Sequence, residues 1–325
     1  MSPAPESTPA RGRLWGMAAI FLAWVVWSFD PIIVCGVGAG VPRLALAGLG
    51  ALFGGLVFAW PLAGLVRRWR ELPARHRWLL VLQAVFFTAV TEACYVTALR
   101  HLNAGVVSGV LRTQVAFAVV FAVIFLGERL SLLAAAGILT IFAANAGLLA
   151  AALLAPEAGP AGESSALGWV LAFLAALMWS GGTVAGKELL KGLRPAELAG
   201  FRMSLAGVLL LAASLVVDGP GALGQLGGRQ WLLLALKGVL TSGLAFLLYY
   251  SGLRRLEVYV ASAFEPLAPM LTLLTAFFLL DQAPQPAELA AVAALLAGTL
   301  MVILAAWRKR GGAPPAGDSR GNPAD

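Results

Sequence analysis

From Val258 to Leu280 the chain carries a single charge, Glu265, in an otherwise apolar run. Runs of this kind recur, and about 20 helical residues suffice to cross the hydrocarbon core of a bilayer. Inside lipid every backbone N–H and C=O must be satisfied within the protein, so only helices and closed barrels span it. These segments are continuously apolar and do not alternate, which argues against a barrel. The chain is 60% hydrophobic and 12% charged, with mean hydropathy +0.86. A soluble domain carries far more charge than that. The sequence therefore predicts an all-α membrane protein.

Ten spans are expected, over residues 14–35, 41–66, 78–99, 104–126 and 131–154, then 167–186, 196–217, 231–252, 258–280 and 287–306. Residues 1–13 and 307–325 are expected to be disordered tails, and the polar stretch 155–166 a hinge between two units, 14–154 and 167–306. Arg11 and Arg13 precede an apolar run without a small-residue cleavage site, so the first segment reads as a retained span. The net charge of +7 does not point to nucleic acid. The basic residues cluster in short connections, and no aromatic-basic nucleic-acid motif accompanies them. With the N-terminus inside, one face receives Arg67, Arg68, Arg70, Arg75, Arg77, Arg129, Lys187, Lys191, Arg194, Arg254, Arg255 and Arg308. The opposite face receives only Arg100 and Arg229, with Arg43 at a span end. Both termini are thus expected in the cytoplasm of a multi-pass inner-membrane protein.

The halves resemble each other. YVTALRHLNAGVVSGV (95–110) aligns without gaps to YYSGLRRLEVYVASAF (249–264). Gly16 and Trp27-Ser28 match Gly168 and Trp179-Ser180, and RLALAG (43–48) matches RMSLAG (202–207). Five spans per unit is an odd number, so a second copy enters the bilayer upside down. Inverted repeats of this kind mark secondary transporters, whose site lies near the midplane between the repeats.

ALRHLNAG (98–105) followed by FAVIFLGERLSLLAAAGILTI (121–141), with the LGE tripeptide at 126–128 and Glu265-Pro266, resembles the EamA-type members of the drug/metabolite transporter superfamily. The resemblance implies ten helices in two inverted five-helix repeats and alternating access. It also implies the movement of small metabolites, often amino acids or amphipathic compounds, frequently as export. The chain departs from an even duplication at two places. Leu111-Arg112 stands where the second repeat has Glu265-Pro266, and Asp281-Gln282 stands where the first has Gly127-Glu128. The connection CGVGAGVPR (35–43) is also short.

The ionisable residues inside spans are the candidate substrate and ion pathway. A charge at mid-bilayer depth costs about 2.5–3.5 kcal/mol on insertion scales, so it persists where it faces a cavity, a partner or a proton. Pro266 and Pro269 remove backbone donors beside Glu265 and are expected to distort the helix, freeing carbonyls to line a polar cavity. Arg112 is the expected partner of Glu265, either paired with it or shared through a zwitterionic substrate. A purely structural ion pair is the competing reading. Asp30 is expected to pair with Arg43, and Glu92 has no local partner, which makes it a candidate proton or cation site. Arg202 and Lys237 are expected on the inner side, snorkelling to the interface. Trp27 and Trp179 are candidate pathway walls, with core packing as the alternative. Gln114, Tyr95 and Tyr249 are candidate hydrogen-bonding groups.

Two kinds of motif are decoys, the first being G-x-x-x-G at 36–40, 50–54 and 105–109, which in so glycine-rich a chain says only that helices can pack closely. GGTVAGKE (181–188) nearly matches a phosphate loop, but Glu188 stands where the magnesium-binding hydroxyl belongs. Cys35 and Cys94 have no metal spacing, and no HExxH or G-x-S-x-G occurs. No cofactor is expected. An intramembrane enzyme using Glu265, Glu92 and Asp30 would lack a nucleophile-base pair, and a scaffold would need no buried charge. The reading is a transporter, not an enzyme, whose partners are a small-molecule substrate, the lipid bilayer and a proton as candidate coupling ion.

Overall fold

The computed structural model describes residues 9–37, 40–102, 104–154, 166–219, 221–224, 226–265, 267, 271 and 286–311. Among the described residues it is all helix and loop, without a strand. In the first unit α1 (Pro9–Ser28) and α2 (Asp30–Val37) form one interrupted span, broken at Phe29 just before Pro31, which has no N–H to give. Next come α3 (Arg43–Leu56) and α4 (Ala59–Arg67), bent by 75°. The third span is α5 (Ala74–Ala84), a π-helical turn (Val85–Val90) and α6 (Thr91–His101). Then follow α7 (Ala104–Leu111), α8 (Gln114–Leu126) and α9 (Leu132–Leu154). The second unit holds α10 (Ala166–Leu189), α11 (Pro195–Val217) and the short α12 (Gly221–Gly224). Its eighth span is α13 (Gly228–Lys237), a π-helical turn (Gly238–Leu244) and α14 (Ala245–Leu253). The last two elements are α15 (Val258–Ser262) and α16 (Pro286–Gly311).

Six of these helices are long and apolar enough to cross a membrane, or seven if the bent pair α3–α4 is one span. That is fewer than the ten expected. The difference has named causes: the first segment is interrupted, the fifth meets the test only as a shorter helix, Leu132–Gly147, and most of 258–280 lies outside the described residues. Pro266, Pro269, Asp281 and Gln282 lie there too. The tails also differ from expectation. Helix α1 starts at Pro9 and α16 continues to Gly311, so the ends of both expected tails are helical, and Arg13 is only 6% exposed. The phosphate-loop decoy lies inside continuous α10.

The duplication is visible in the packing. A Cβ on Gly48 would meet Leu211, and one on its match Gly207 would meet Leu52. Gly16 approaches Leu256 and Arg255, while Gly168 approaches Leu102 and His101, the aligned residues. At the α9–α16 crossing a Cβ on either glycine would lie 2.7 Å from the other's carbonyl: Gly137 on Gly298 O, and Gly298 on Gly137 O. Lipid tails are as apolar as leucine, so close backbone approach is what favours helix pairing there. The two π-helical turns also correspond, since the alignment sets 85–90 against 239–244.

The LGE tripeptide has a local structural explanation. Helix α8 ends at Leu126, Gly127 adopts a left-handed φ of 66°, and the Glu128 N–H bonds back to Ala122 O at 3.2 Å. This turn carries the Glu128 carboxylate to the first amides of α15, Val258 N–H at 2.6 Å and Tyr259 N–H at 3.2 Å. Burial raises the Glu128 pKa above the usual carboxylate value, opposed by those two donors.

Gly298→Val forces apart two backbones in contact. It is expected to cost about 1–3 kcal/mol, read as a fall in the melting temperature of the purified protein by tryptophan fluorescence. Gly64→Val, where a side chain meets nothing within 4 Å, is the control and should melt with the parent.

Candidate functional site

Helices α7 and α8 part at Arg112–Thr113, and α15 ends in a turn at Ala263–Glu265. The alignment sets Leu111 against Glu265, so the two breaks lie within about one turn of each other in the two repeats. Interrupted spans at matching positions are the strongest structural pointer to a transporter site. At the breaks, Gln114 of the first repeat donates its side-chain Nε2 to Glu265 Oε1 of the second. The charges of Arg112 and Glu265 act on each other. Ser180 donates to Gln114 O at 2.8 Å and to Ala176 O at 2.7 Å, tying α10 to the first break. A small cleft lined by Gly109, Thr113 and Asn145 lies beside that break.

The aromatic residues form a reciprocal frame. Trp27 of the first repeat packs on Tyr249 of the second, with ring centroids 5.5 Å apart and planes at 53°. Trp179 of the second packs on Tyr95 of the first at 5.5 Å and 51°. One contact is thus made twice, once in each direction. Each such pair is worth about 0.5–1.5 kcal/mol beyond the area it buries. Trp27 also donates Nε1–H to Thr241 O at 2.9 Å, and the Tyr249 hydroxyl lies 3.2 Å from Thr183 Oγ1.

A second polar group lies between the first, third, seventh and eighth spans, and here three expectations fail. Asp30 pairs with Lys237 at 2.9 Å rather than with Arg43, and its Oδ1 also accepts from Thr241 Oγ1 at 2.7 Å. Lys237 lies near the start of its span and turns to a carboxylate, so it does not snorkel. Arg202, 6% exposed, does not snorkel either. It donates to Thr88 Oγ1 at 2.6 Å and to the Tyr250 hydroxyl at 2.5 Å, with its guanidinium 4.5 Å over the Phe246 ring. Glu92 is in the field of Lys237, Asp30 and Arg202, three charges from other helices. No local sequence spacing announces these partners.

The structure thus brings Arg112, Gln114 and Glu265 together at one place. Trp27, Trp179, Tyr95 and Tyr249 surround the repeat interface, and Asp30 and Glu92 join a separate network. Sequence reasoning missed Ser180, Thr183, Thr241, Thr88 and Tyr250 as polar partners, and Gln83, whose Nε2 donates to the Tyr250 hydroxyl at 3.3 Å. For Ser180 a signal existed, the Trp-Ser doublet repeated at 27–28 and 179–180. Cys94 is a buried free thiol, and no cluster of three metal-ligating side chains occurs among the described residues.

The EamA-like transporter family matches residues 14–150 and 166–304, almost the whole of both units. A solved structure described only as the crystal structure of a protein is similar over 89% of this chain and 98% of its own, at 24% identity and a TM-score of 0.72. That likeness supports the fold. No curated protein matches the chain. The chain belongs to the EamA-like transporter family: it is a multi-pass membrane protein of two related helical repeats, in a family of small-molecule transporters.

The Asp30–Lys237 pair is open to a direct check. Asp30→Asn and Lys237→Met each leave the other charge partly buried without its partner, and each is expected to destabilise by about 1–3 kcal/mol. The double variant should recover at least part of the summed loss in thermal denaturation, because the two sites share one interaction.

Proposed function

We propose that this chain is a secondary transporter that moves small zwitterionic metabolites, amino acids or close relatives, across the inner membrane by alternating access. The ten expected spans form two inverted five-helix repeats with both termini in the cytoplasm. The repeats rock about the interface framed by the two Trp–Tyr pairs. The observation that carries the reading is the paired helix breaks, which bring Arg112 and Gln114 of one repeat to Glu265 of the other.

In this reading Arg112 attracts a substrate carboxylate and Glu265 an amine, while Gln114 orients the Glu265 carboxylate. The aromatic rings form the walls and can hold a cationic group face-on. With no nucleotide-binding motif in the sequence, net movement is either coupled to a proton or solute gradient or runs downhill as facilitated transport, with export the favoured direction. Glu92 and Asp30 belong to the ion path, where a proton can exchange.

Counterflow in proteoliposomes, with a panel of amino acids, sugars, nucleosides and organic cations, tests the proposal. The account expects amino acids to exchange and the others not to. Glu265→Gln and Arg112→Ala should each lower exchange tenfold or more with unchanged folding. Parental exchange by both variants would remove these residues from the pathway.

A further inference from the structure

The connection Leu253–Tyr259, between α14 and α15, is gripped from three sides by the other helices. Lys187 of α10 donates Nζ–H bonds to the carbonyls of Leu253 (2.7 Å), Arg254 (3.3 Å) and Leu256 (2.6 Å), closing the end of α14. Glu128, after α8, accepts the first two amides of α15. Arg13 of α1 pairs with Glu257 at 2.9 Å and also donates to Ala306 O of α16 at 3.0 Å. Three charged side chains, from α1 and the turn after α8 in the first repeat and from α10 in the second, thus converge on one seven-residue strap, and Arg13 ties it to α16 as well. Both ends of the strap are helix termini, where orphan carbonyls and amides need partners and the dipole favours a cation and an anion respectively.

In sequence, the aligned positions of the other repeat carry none of these charges. Under the alignments above, Arg13 corresponds to Ser165, Lys187 to Cys35, Glu257 to Asn103 and Glu128 to Gln282. Every charged member of the grip has an uncharged counterpart. Duplication of one ancestor explains the shared glycines, rings and π-helical turns, and it does not explain why all four of these positions are charged in one copy and uncharged in the other. The strap also leads directly to the break in the ninth span: Val258 is capped, and Glu265 follows within two turns.

We infer that Arg13, Glu128, Lys187 and Glu257 form a latch that holds the basic end of the transporter shut, whereas the aligned positions at the opposite end carry no charge in the sequence. This rests on the transport reading for its purpose, though not for its geometry. The latch residues are positioning residues: they touch the strap and not the substrate. The asymmetry makes the conformation closed at the basic end the resting one, and opening toward that side is the step that breaks charged contacts. A substrate or ion arriving at Glu265 acts on the strap through α15.

The test uses the full chain with Cys35→Ala, Cys94→Ala and a reporter Ser262→Cys. Ser262 is 4% exposed and one turn beyond the gripped amides. The rate of labelling by an impermeant maleimide is followed in inside-out membrane vesicles. Glu128→Gln, which keeps the side-chain volume, and Lys187→Met are each expected to raise the rate at least fivefold. Arg13→Glu should do the same, and the swap of Arg13→Glu with Glu257→Arg should return it to the parental rate. A smaller rise in all three single variants would overturn the latch, as would a swap that labels as fast as Arg13→Glu alone. The swapped pair keeps the test open if Glu128 proves necessary for folding. Labelling needs no substrate, so its outcome separates from counterflow. Parental labelling with normal exchange rejects the latch alone, and fast labelling of the variants without any exchange by the parent rejects transport alone.

Discussion

Helices in lipid gain nothing from hiding apolar side chains from one another, so their association depends on how closely backbones approach and which polar groups meet. Gly137 on Gly298, Gly48 on Leu211 and Gly207 on Leu52 are the contacts that meet this requirement. They join helices of different repeats. The repeats therefore do not sit as two finished bundles side by side: each supplies the close-packing surface the other lacks. The aromatic frame follows from the same arrangement, because helices paired through glycine bring Trp27 to Tyr249 and Trp179 to Tyr95 in matching geometry.

Against that symmetric frame the charges are distributed unevenly. The first repeat gives Asp30 and Glu92 to a network completed by Lys237 and Arg202 of the second. At the helix breaks the signs are reversed, with Arg112 from the first repeat and Glu265 from the second. Each cluster draws opposite charges from opposite repeats. Removing one member strands its partner in a low-dielectric interior. Because each cluster spans both repeats, a relative motion of the repeats would change both together.

Much of the fold was legible because it is governed by length and periodicity. Apolar runs of span length, Lys and Arg in the connections, and a gapless match over 95–110 and 249–264 suffice to infer helices and a duplication. The site was legible in part for a similar reason: Glu265 and Arg112 are conspicuous against an uncharged background. The partners were not. Asp30 meets Lys237 and Arg202 meets Thr88 and Tyr250 through tertiary packing, at separations that local spacing cannot reveal. The interruption at Phe29 and the 75° bend after Leu56 shortened spans that composition alone draws as continuous. Glu128 was noticed for its tripeptide, but only its position after a left-handed glycine shows that it caps a helix of the other repeat.

The central claim is that the two repeats enter the bilayer in opposite senses. Arg100 and Arg254 occupy the same aligned position and are both exposed. Cysteine substituted at each, in a background without Cys35 and Cys94, can be labelled in intact cells by an impermeant maleimide. The account predicts that Arg100→Cys labels from outside, whereas Arg254→Cys labels only after the membrane is permeabilised. Labelling of both from the same side would show parallel repeats and contradict it.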